Sequence, residues 1–153
     1  IARKDTAVAR WNLTVTYALI GARSVRGQSS GWFGKALEQC RAAAAIEKAA
    51  SPASRSTNED VTTALVYTMA GDVRAARPYL ERAEAAMQAR ALSPVLLARV
   101  YAARHENKRA LELLWQGASW RDRRLLYVNI SPLFANVRGE PQFRDLLQKM
   151  RLA

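Results

Sequence analysis

The sequence predicts an all-α solenoid of about three helix hairpins, closed by a C-terminal capping helix segment. Three observations lead to this fold class. Alanine supplies 29 of the 153 residues, against seven glycines and five prolines, and this composition favours helices. Small, aromatic and leucine residues recur at a spacing of 34. Valine, isoleucine and threonine form no alternating runs of the kind that predict strands.

The recurrence is clearest between residues 57–90 and 91–118, the second and third hairpins. The matching pairs are Ala64 and Ala98, Tyr67 and Tyr101, Ala76 and Ala110, Leu80 and Leu114, and Ala83 and Gly117. Gly71 and His105 form the one clear departure. Because such a hairpin cannot bury its apolar side alone, we expect each to stack on the next. We also expect equivalent surroundings for Tyr67 and Tyr101.

A looser copy of the pattern lies upstream, over about residues 6–50. Its matching residues are Tyr17, Gly21, Ala36, Cys40 and Ala43. Two insertions interrupt the regular period, at 24–32 and at 50–57. Both are rich in Ser, Gly, Arg or Pro, so we expect longer loops there.

Helix ends follow from the same pattern and from capping residues. The predicted helices span residues 6–22, 32–50, 58–70, 73–90, 94–105, 107–118, 132–138 and 141–151. Thr57 and Asp60 have the spacing of a capping box. Serine followed by proline at positions 93 and 131 predicts two further helix starts. Pro78 should bend the fourth helix or delay its start.

The repeated positions resemble the tetratricopeptide repeat (TPR). That family has small, Tyr, Gly, Ala, bulky and Ala residues where this chain has Ala64, Tyr67, Gly71, Ala76, Leu80 and Ala83. The first copy is degenerate, with Thr14 at the small position. The segment 119–153 is similar to the cap that ends TPR arrays of larger bacterial signalling and regulatory proteins. Since the sequence begins at Ile1, we interpret 1–153 as one domain cut from such a protein.

The resemblance implies a non-enzymatic scaffold or regulatory module in the cytoplasm. Its partner would be a protein or peptide, a helix, or an upstream domain of the same chain, bound on the concave face formed by the first helices. The family's positions place fifteen residues there, of which ten form the predicted site: Trp11, Val15, Leu19, Asn58, Val61, Leu65, Thr68, Met69, Val95 and Arg99. We expect Leu65, Met69 and Arg99 to contribute most. The alternative is that N-terminal residues already fill this face.

The net charge of +11 suggests nucleic acid as another partner. The charge is concentrated in residues 1–35 and 119–153, however, whereas a phosphate-binding face would carry it continuously. The most basic motif contains Trp120, Arg121, Arg123 and Arg124. It is either a site for an acidic peptide, a phosphate or RNA, or a solvated connector. Nucleic-acid or anion binding at the basic ends is therefore the alternative function.

The sequence offers no set of residues for catalysis, a metal or a cofactor. One histidine and one cysteine cannot form a Cys/His zinc site within the chain. We expect His105 in a helix-ending turn and Cys40 in the core. The acidic residues Glu59, Asp60, Glu81 and Glu84 should lie in first helical turns or on solvated faces. No apolar run approaches the roughly 18 residues of a membrane span.

Overall fold

The computed structural model describes residues 6–25, 27–52 and 56–151. Its seven α-helices are α1 (Ala7–Arg23), α2 (Ser29–Ala50), α3 (Thr57–Met69), α4 (Val73–Gln88), α5 (Pro94–Ala103), α6 (Asn107–Ser119) and α7 (Pro141–Lys149). Two 3-10 segments, Arg123–Tyr127 and Pro132–Phe134, lie between α6 and α7. Within these ranges there is no strand, so the all-α class is confirmed. A solenoid of TPR hairpins stays a prediction.

The chain forms two compact units, Ile1–Ala83 and Glu84–Ala153. The first contains α1, α2, α3 and the start of α4. The second contains the rest of α4, the helices α5 to α7 and both 3-10 segments. The division therefore falls within the second predicted hairpin, inside α4, and not between two hairpins.

In the first unit, α1 packs along α2 and both helices contact α3. The centre of this packing is a buried cluster of Ala18, Ala36 and Val66. Small residues at these positions let the helices approach closely. Gly21 serves the same purpose, because a Cβ there would lie 3.1 Å from the ring of Phe33. Gly21 lies inside α1, as the predicted helix 6–22 requires, whereas its repeat counterpart Gly71 lies in a turn.

Side chains join α3 to the start of α4. Both Nε and Nη2 of Arg82 reach Oδ1 of Asp60, at 2.9 and 2.8 Å. The ring of Tyr67 stacks on that of Tyr79 with centroids 5.9 Å apart. Asp60 is buried. Asp60 lies in the first turn of α3, as predicted, and Arg82 pairs with it there, since an isolated carboxylate would not remain buried unpaired.

The α-helix starts match the sequence prediction to within three residues. The cap of α3 is Ser56, whose Oγ accepts a hydrogen bond from Glu59 N at 3.1 Å, one residue before the predicted Thr57. Ser93 caps α5 as predicted, accepting from the amide of Val95. Helix α2 begins at Ser29, so the first insertion is a shorter loop than expected. The second insertion, 50–57, lies partly outside the described residues.

Pro78 neither stops α4 nor delays its start. The helix begins at Val73, and Asp72 Oδ1 accepts a hydrogen bond from Ala75 N at 2.9 Å. Pro78 follows on the exposed side of the helix. There the missing proline N–H removes one helical hydrogen bond without leaving a buried group unsatisfied.

In the second unit, α5 packs against α6, and α6 contacts α7. Leu97, Leu113 and Leu114 are completely buried. The hydroxyl of Tyr101 donates a short hydrogen bond to Glu84 in the last part of α4. Glu84 is half-buried. The expectation that it lies on a solvated face is therefore wrong.

The two repeat tyrosines share a main-chain role but not their side-chain surroundings. The carbonyl of Tyr67 accepts from Asp72 N at 2.9 Å, and that of Tyr101 from Glu106 N at 3.0 Å. The Tyr67 side chain is half-buried on another tyrosine, whereas the Tyr101 side chain is buried and donates to a carboxylate. The expected equivalence therefore holds for the main chain alone.

Residues 122–137, called the 3-10 ribbon below, contain the two 3-10 helices Arg123–Tyr127 and Pro132–Phe134, joined by turns and an extended Ser131. Its amides repeatedly bond the carbonyl three residues earlier, as in Val128 N to Leu125 O and Val137 N to Phe134 O. These four residues are buried with almost no exposed surface. Where the sequence predicts a helix over 132–138, the structure has a 3-10 helix over Pro132–Phe134 followed by turns. In α7, Phe143, Leu146 and Leu147 are buried, as expected of a cap.

Candidate functional site

Several residues predicted for the concave face are interior. Leu65 is only 3% exposed, and Val61, Thr68 and Val95 are also buried. Leu65 was expected to offer an apolar surface to a partner, and its burial corrects that expectation. The repeat gives the direction in which a side chain points, but not what already covers it.

Two further predicted residues already donate hydrogen bonds to a carboxylate of the first unit. Trp11 Nε1 donates to Glu47 Oε1 at 2.8 Å, and Asn58 Nδ2 donates to the same atom at 3.2 Å. Ser56 Oγ donates to Glu47 Oε2 at 2.7 Å. Glu47 therefore ties α1, α2 and the cap of α3 together. Its sequence neighbourhood gave no signal for this role.

The remaining predicted residues of the first unit are Val15, Leu19 and Met69. All three are half-buried. Met69 packs against the cluster of Ala18, Ala36 and Val66. These residues present partial apolar surface, and the Oγ1 of the adjacent Thr68 is buried with no hydrogen-bond partner among the described residues.

Arg99 is the predicted residue whose surroundings are most unusual. It projects from α5 in the second unit, and its Nε is buried with no hydrogen-bond partner in the described part of the chain. Burial lowers the pKa of the guanidinium, and the positive charge of Arg124 lowers it further. Asp122 acts in the opposite direction. The structure thus brings together one residue from each of the two sites predicted separately, Arg99 and Arg124.

The carboxylate of Asp122 already accepts hydrogen bonds from groups other than Arg99. Its Oδ1 accepts from the main-chain N of Arg124 at 3.0 Å and lies 3.5 Å from the guanidinium of that residue. Its Oδ2 accepts a short hydrogen bond from the hydroxyl of Ser93, the cap of α5. Asp122 therefore fixes the start of the 3-10 ribbon and leaves Arg99 without a direct counter-ion.

The rest of the basic motif has a different character. Trp120 is half-buried, with the guanidinium of Arg90 5.0 Å from its ring centroid. Arg121 is exposed and adopts a left-handed backbone, with φ of 55°. Arg123 and Arg124 are exposed at the beginning of the ribbon. Only Arg124 of this motif belongs to the electrostatic surroundings of Arg99.

The reactive residue types are placed as the sequence predicts. Cys40 is buried, and burial raises the pKa of its thiol to about 11, against a smaller opposing effect of the hydrogen bond with Thr63. His105 is exposed in the turn that follows α5. In the described ranges no three His, Cys, Asp or Glu side chains could together hold a metal ion. None of the helices described is long and apolar enough to cross a bilayer.

The sequence did not predict a groove of about 680 Å³ in the second unit. It is lined by Asn107, Lys108, Leu111, Glu112, Trp115, Glu140 and Gln142. Leu111 and Trp115 lie one turn apart on α6, outside the repeated positions, and this spacing was the available signal. Lys149 Nζ lies 5.0 Å from the Trp115 ring, so a residue of the chain itself already contacts this aromatic face.

Comparison with known proteins assigns this chain to no family. No family model, no curated protein and no solved structure matches this chain. The TPR resemblance therefore depends on the residue pattern alone, and the functional argument has to start from the geometry of the site.

Proposed function

We propose that this chain is a non-enzymatic protein-interaction module that binds an acidic segment of another polypeptide at Arg99. The observation that carries the proposal is the buried, unpartnered Nε of Arg99 beside a second guanidinium, Arg124. A buried guanidinium N–H without an acceptor destabilises the folded chain, because it has lost water and gained no partner. A carboxylate of a partner would supply that acceptor.

The chemistry of arginine supports a polypeptide carboxylate as the group recognised. A guanidinium presents a planar fork of donors that matches a carboxylate in two parallel hydrogen bonds. Arg99 lies on the first helix of the third predicted hairpin, where the TPR resemblance places partner-binding residues. The segment bound would be a peptide, a helix or a neighbouring domain of a larger bacterial signalling or regulatory protein in the cytoplasm.

Nucleic-acid or anion binding is the alternative, and the same two arginines favour it. A phosphate also accepts two hydrogen bonds from a guanidinium. The two functions differ in salt dependence, because binding to several phosphates releases counter-ions and weakens steeply between ~50 and ~200 mM salt. A peptide that also buries apolar surface should weaken much less over that range.

The test begins with selection from a displayed library of peptides that combine acidic and apolar residues. A selected peptide should bind Arg99→Gln at least about tenfold more weakly than the parent. Arg104→Gln is the matched control, because Arg104 Nε already contacts Glu106 Oε1 at 2.6 Å within the chain. We expect both variants to fold. Arg99→Gln removes a charge whose Nε is buried without a partner, and Arg104→Gln removes a partly exposed ion pair.

Equal loss of peptide binding in Arg99→Gln and Arg104→Gln would reject the site. Selection of no peptide, together with tight binding of a single-stranded oligonucleotide that collapses at ~200 mM salt, would support the alternative.

A further inference from the structure

The 3-10 ribbon exposes three large apolar side chains within five residues. Leu126 is 57% exposed, Tyr127 62% and Ile130 74%. The other large apolar residues of this part of the ribbon, Leu125 and Val128, are buried. A contiguous group of exposed apolar side chains on an otherwise well-packed segment marks an interaction surface.

The three-residue period explains why these side chains point outward. With three residues per turn, positions 125 and 128 form the inward row. Positions 123, 126 and 129 form a second row, and positions 124, 127 and 130 a third. Leu126 therefore follows Arg123 in one outward row, and Tyr127 follows Arg124 in the other. Apolar and positively charged side chains alternate on the same outer side of the ribbon.

The ribbon is anchored by its contacts within the second unit. Its inward residues pack against α5 and α6, and Asp122 fixes its first turn. The apolar side chains are therefore presented by an anchored segment, so little ordering is required when they bind. Arg121, Arg123 and Arg124 surround them with positive charge, while the carboxylate of Asp122 accepts hydrogen bonds within the chain.

We propose that this side of the ribbon docks on a bilayer of anionic phospholipids. We call it the ribbon surface: Leu126, Tyr127 and Ile130 with Arg121, Arg123 and Arg124. The apolar side chains enter the boundary between head groups and acyl chains, and the arginines bind lipid phosphates. The ribbon surface shares Arg124 with the Arg99 site, but docking on a bilayer does not require binding at Arg99, and the proposal goes beyond the proposed function.

The chemistry of the surface favours a bilayer over the other partners. A bilayer offers phosphate and hydrocarbon side by side over a broad plane, which matches protruding side chains of both kinds. Nucleic acid also offers phosphate, and its bases stack on aromatic side chains. It would, however, leave Leu126 and Ile130 in water. A bound peptide is usually held in a groove, whereas these three side chains project.

The first experiment measures co-sedimentation with vesicles. We expect the chain to bind vesicles of equal parts phosphatidylcholine and phosphatidylglycerol, and to bind phosphatidylcholine vesicles far more weakly. Leu126→Ser with Ile130→Ser should reduce the partition coefficient at least about tenfold. The matched control is Leu13→Ser with Ile20→Ser, exposed apolar residues of α1, which should leave it unchanged.

Charge is tested in the same assay. Arg121→Gln with Arg123→Gln should weaken binding about fivefold per arginine. Arg74→Gln with Arg77→Gln removes two exposed arginines of α4 and so matches the change in net charge. That control should have little effect. Equal losses in the two pairs would mean that net charge alone attracts the chain, and would overturn the proposal.

A fluorescent label tests insertion directly. Because Cys40 is buried and its thiol is protonated at neutral pH, Ile130→Cys can be labelled selectively with an environment-sensitive dye. The emission should shift to the blue on anionic vesicles, whereas dye on the exposed position of Gln88→Cys should not shift. No vesicle binding by the parent would refute the proposal. Self-association or oligonucleotide binding that depends on Leu126 and Ile130, without insertion of the dye, would assign the surface to another partner.

Discussion

Gly71 and His105, 34 residues apart, both adopt the left-handed conformation in the turn after a helix. Their φ angles are 81° and 59°. The amide of each bonds the carbonyl three residues earlier, Thr68 O or Ala102 O, at 3.0 Å in both cases. The repeat therefore extends to the backbone geometry of its turns, although a glycine stands in one copy and a histidine in the other.

His105→Gly should stabilise the chain by about 1 kcal/mol. A side chain in the left-handed region costs about 1–2 kcal/mol, and glycine avoids most of that cost while increasing the entropy of the unfolded chain. Urea unfolding measures the difference. Gly71→Ala should have the opposite effect, about 1 kcal/mol of destabilisation. A Cβ at Gly71 meets nothing within 4 Å, so that loss is conformational and not steric.

Gly117→Ala should destabilise the second unit by about 1–3 kcal/mol. The added Cβ would lie 2.8 Å from Val95 Cγ2 on the neighbouring helix, so one of the two helices must move. Thermal unfolding measures the loss, and the added substitution Val95→Ala should make the glycine replacement less harmful. Gly34→Ala is the control, because nothing lies within 4 Å of its Cβ and alanine favours the helix. Destabilisation by both alanines would contradict the proposed clash.

Replacing Ala76 or Ala110 with leucine should cost about 1–3 kcal/mol. Both alanines are completely buried at equivalent positions of the repeat, so three added heavy atoms must displace a neighbouring helix. Melting temperatures of the two variants provide the measurement. Ala85→Leu, at an exposed position of α4, should leave the melting temperature nearly unchanged. Unchanged melting of the buried variants would reject the alignment of the hairpins.

The buried thiol of Cys40 predicts a loss of stability at high pH. Its pKa rises from 9.0 to about 11 on folding, chiefly through burial. Below pH 9 both states hold the proton; between pH 9 and 11 the unfolded chain releases it while the folded chain keeps it. Stability should therefore fall by up to about 3 kcal/mol over this range.

Comparison with Cys40→Ala isolates this contribution to the pH dependence of unfolding, because Tyr101, whose pKa is also raised by burial, titrates at high pH as well. Between pH 9 and 11 the free energy of unfolding should fall less steeply with pH in Cys40→Ala than in the parent. Equal slopes in the two proteins would refute the raised pKa of Cys40. Native Cys40 should also resist thiol reagents at neutral pH and react only after unfolding.

Helix existence and the helix-ending turns were predictable because they depend on local spacing. Capping serines, the Ser93–Pro94 start of α5 and the turn at His105 follow from a few adjacent residues. Burial at Leu65 did not follow, because periodicity shows the direction of a side chain and not what covers it. The partners of Glu47 and Asp60 were missed for the same reason, since both depend on residues brought close by tertiary folding.

The candidate site was only partly predictable. Arg99 was selected by its position in the repeat, but its missing counter-ion depends on how Asp122 is used. Within the ribbon only the helix over 132–138 was predicted, because the other apolar residues recur every three positions. A period of three fits neither the 3.6 of an α-helix nor the 2 of a strand, so a search for those periods passes over it.

The three-residue period of the ribbon restricts how its length can vary. An insertion or deletion of three residues after Val128 would leave Phe134 and Val137 in the inward row. A change of one or two residues would rotate both side chains out of the inward row. Variants whose length changes by three residues should therefore remain folded, whereas changes of one or two residues should destabilise the chain. Unfolding measurements on a series of such variants would test this difference.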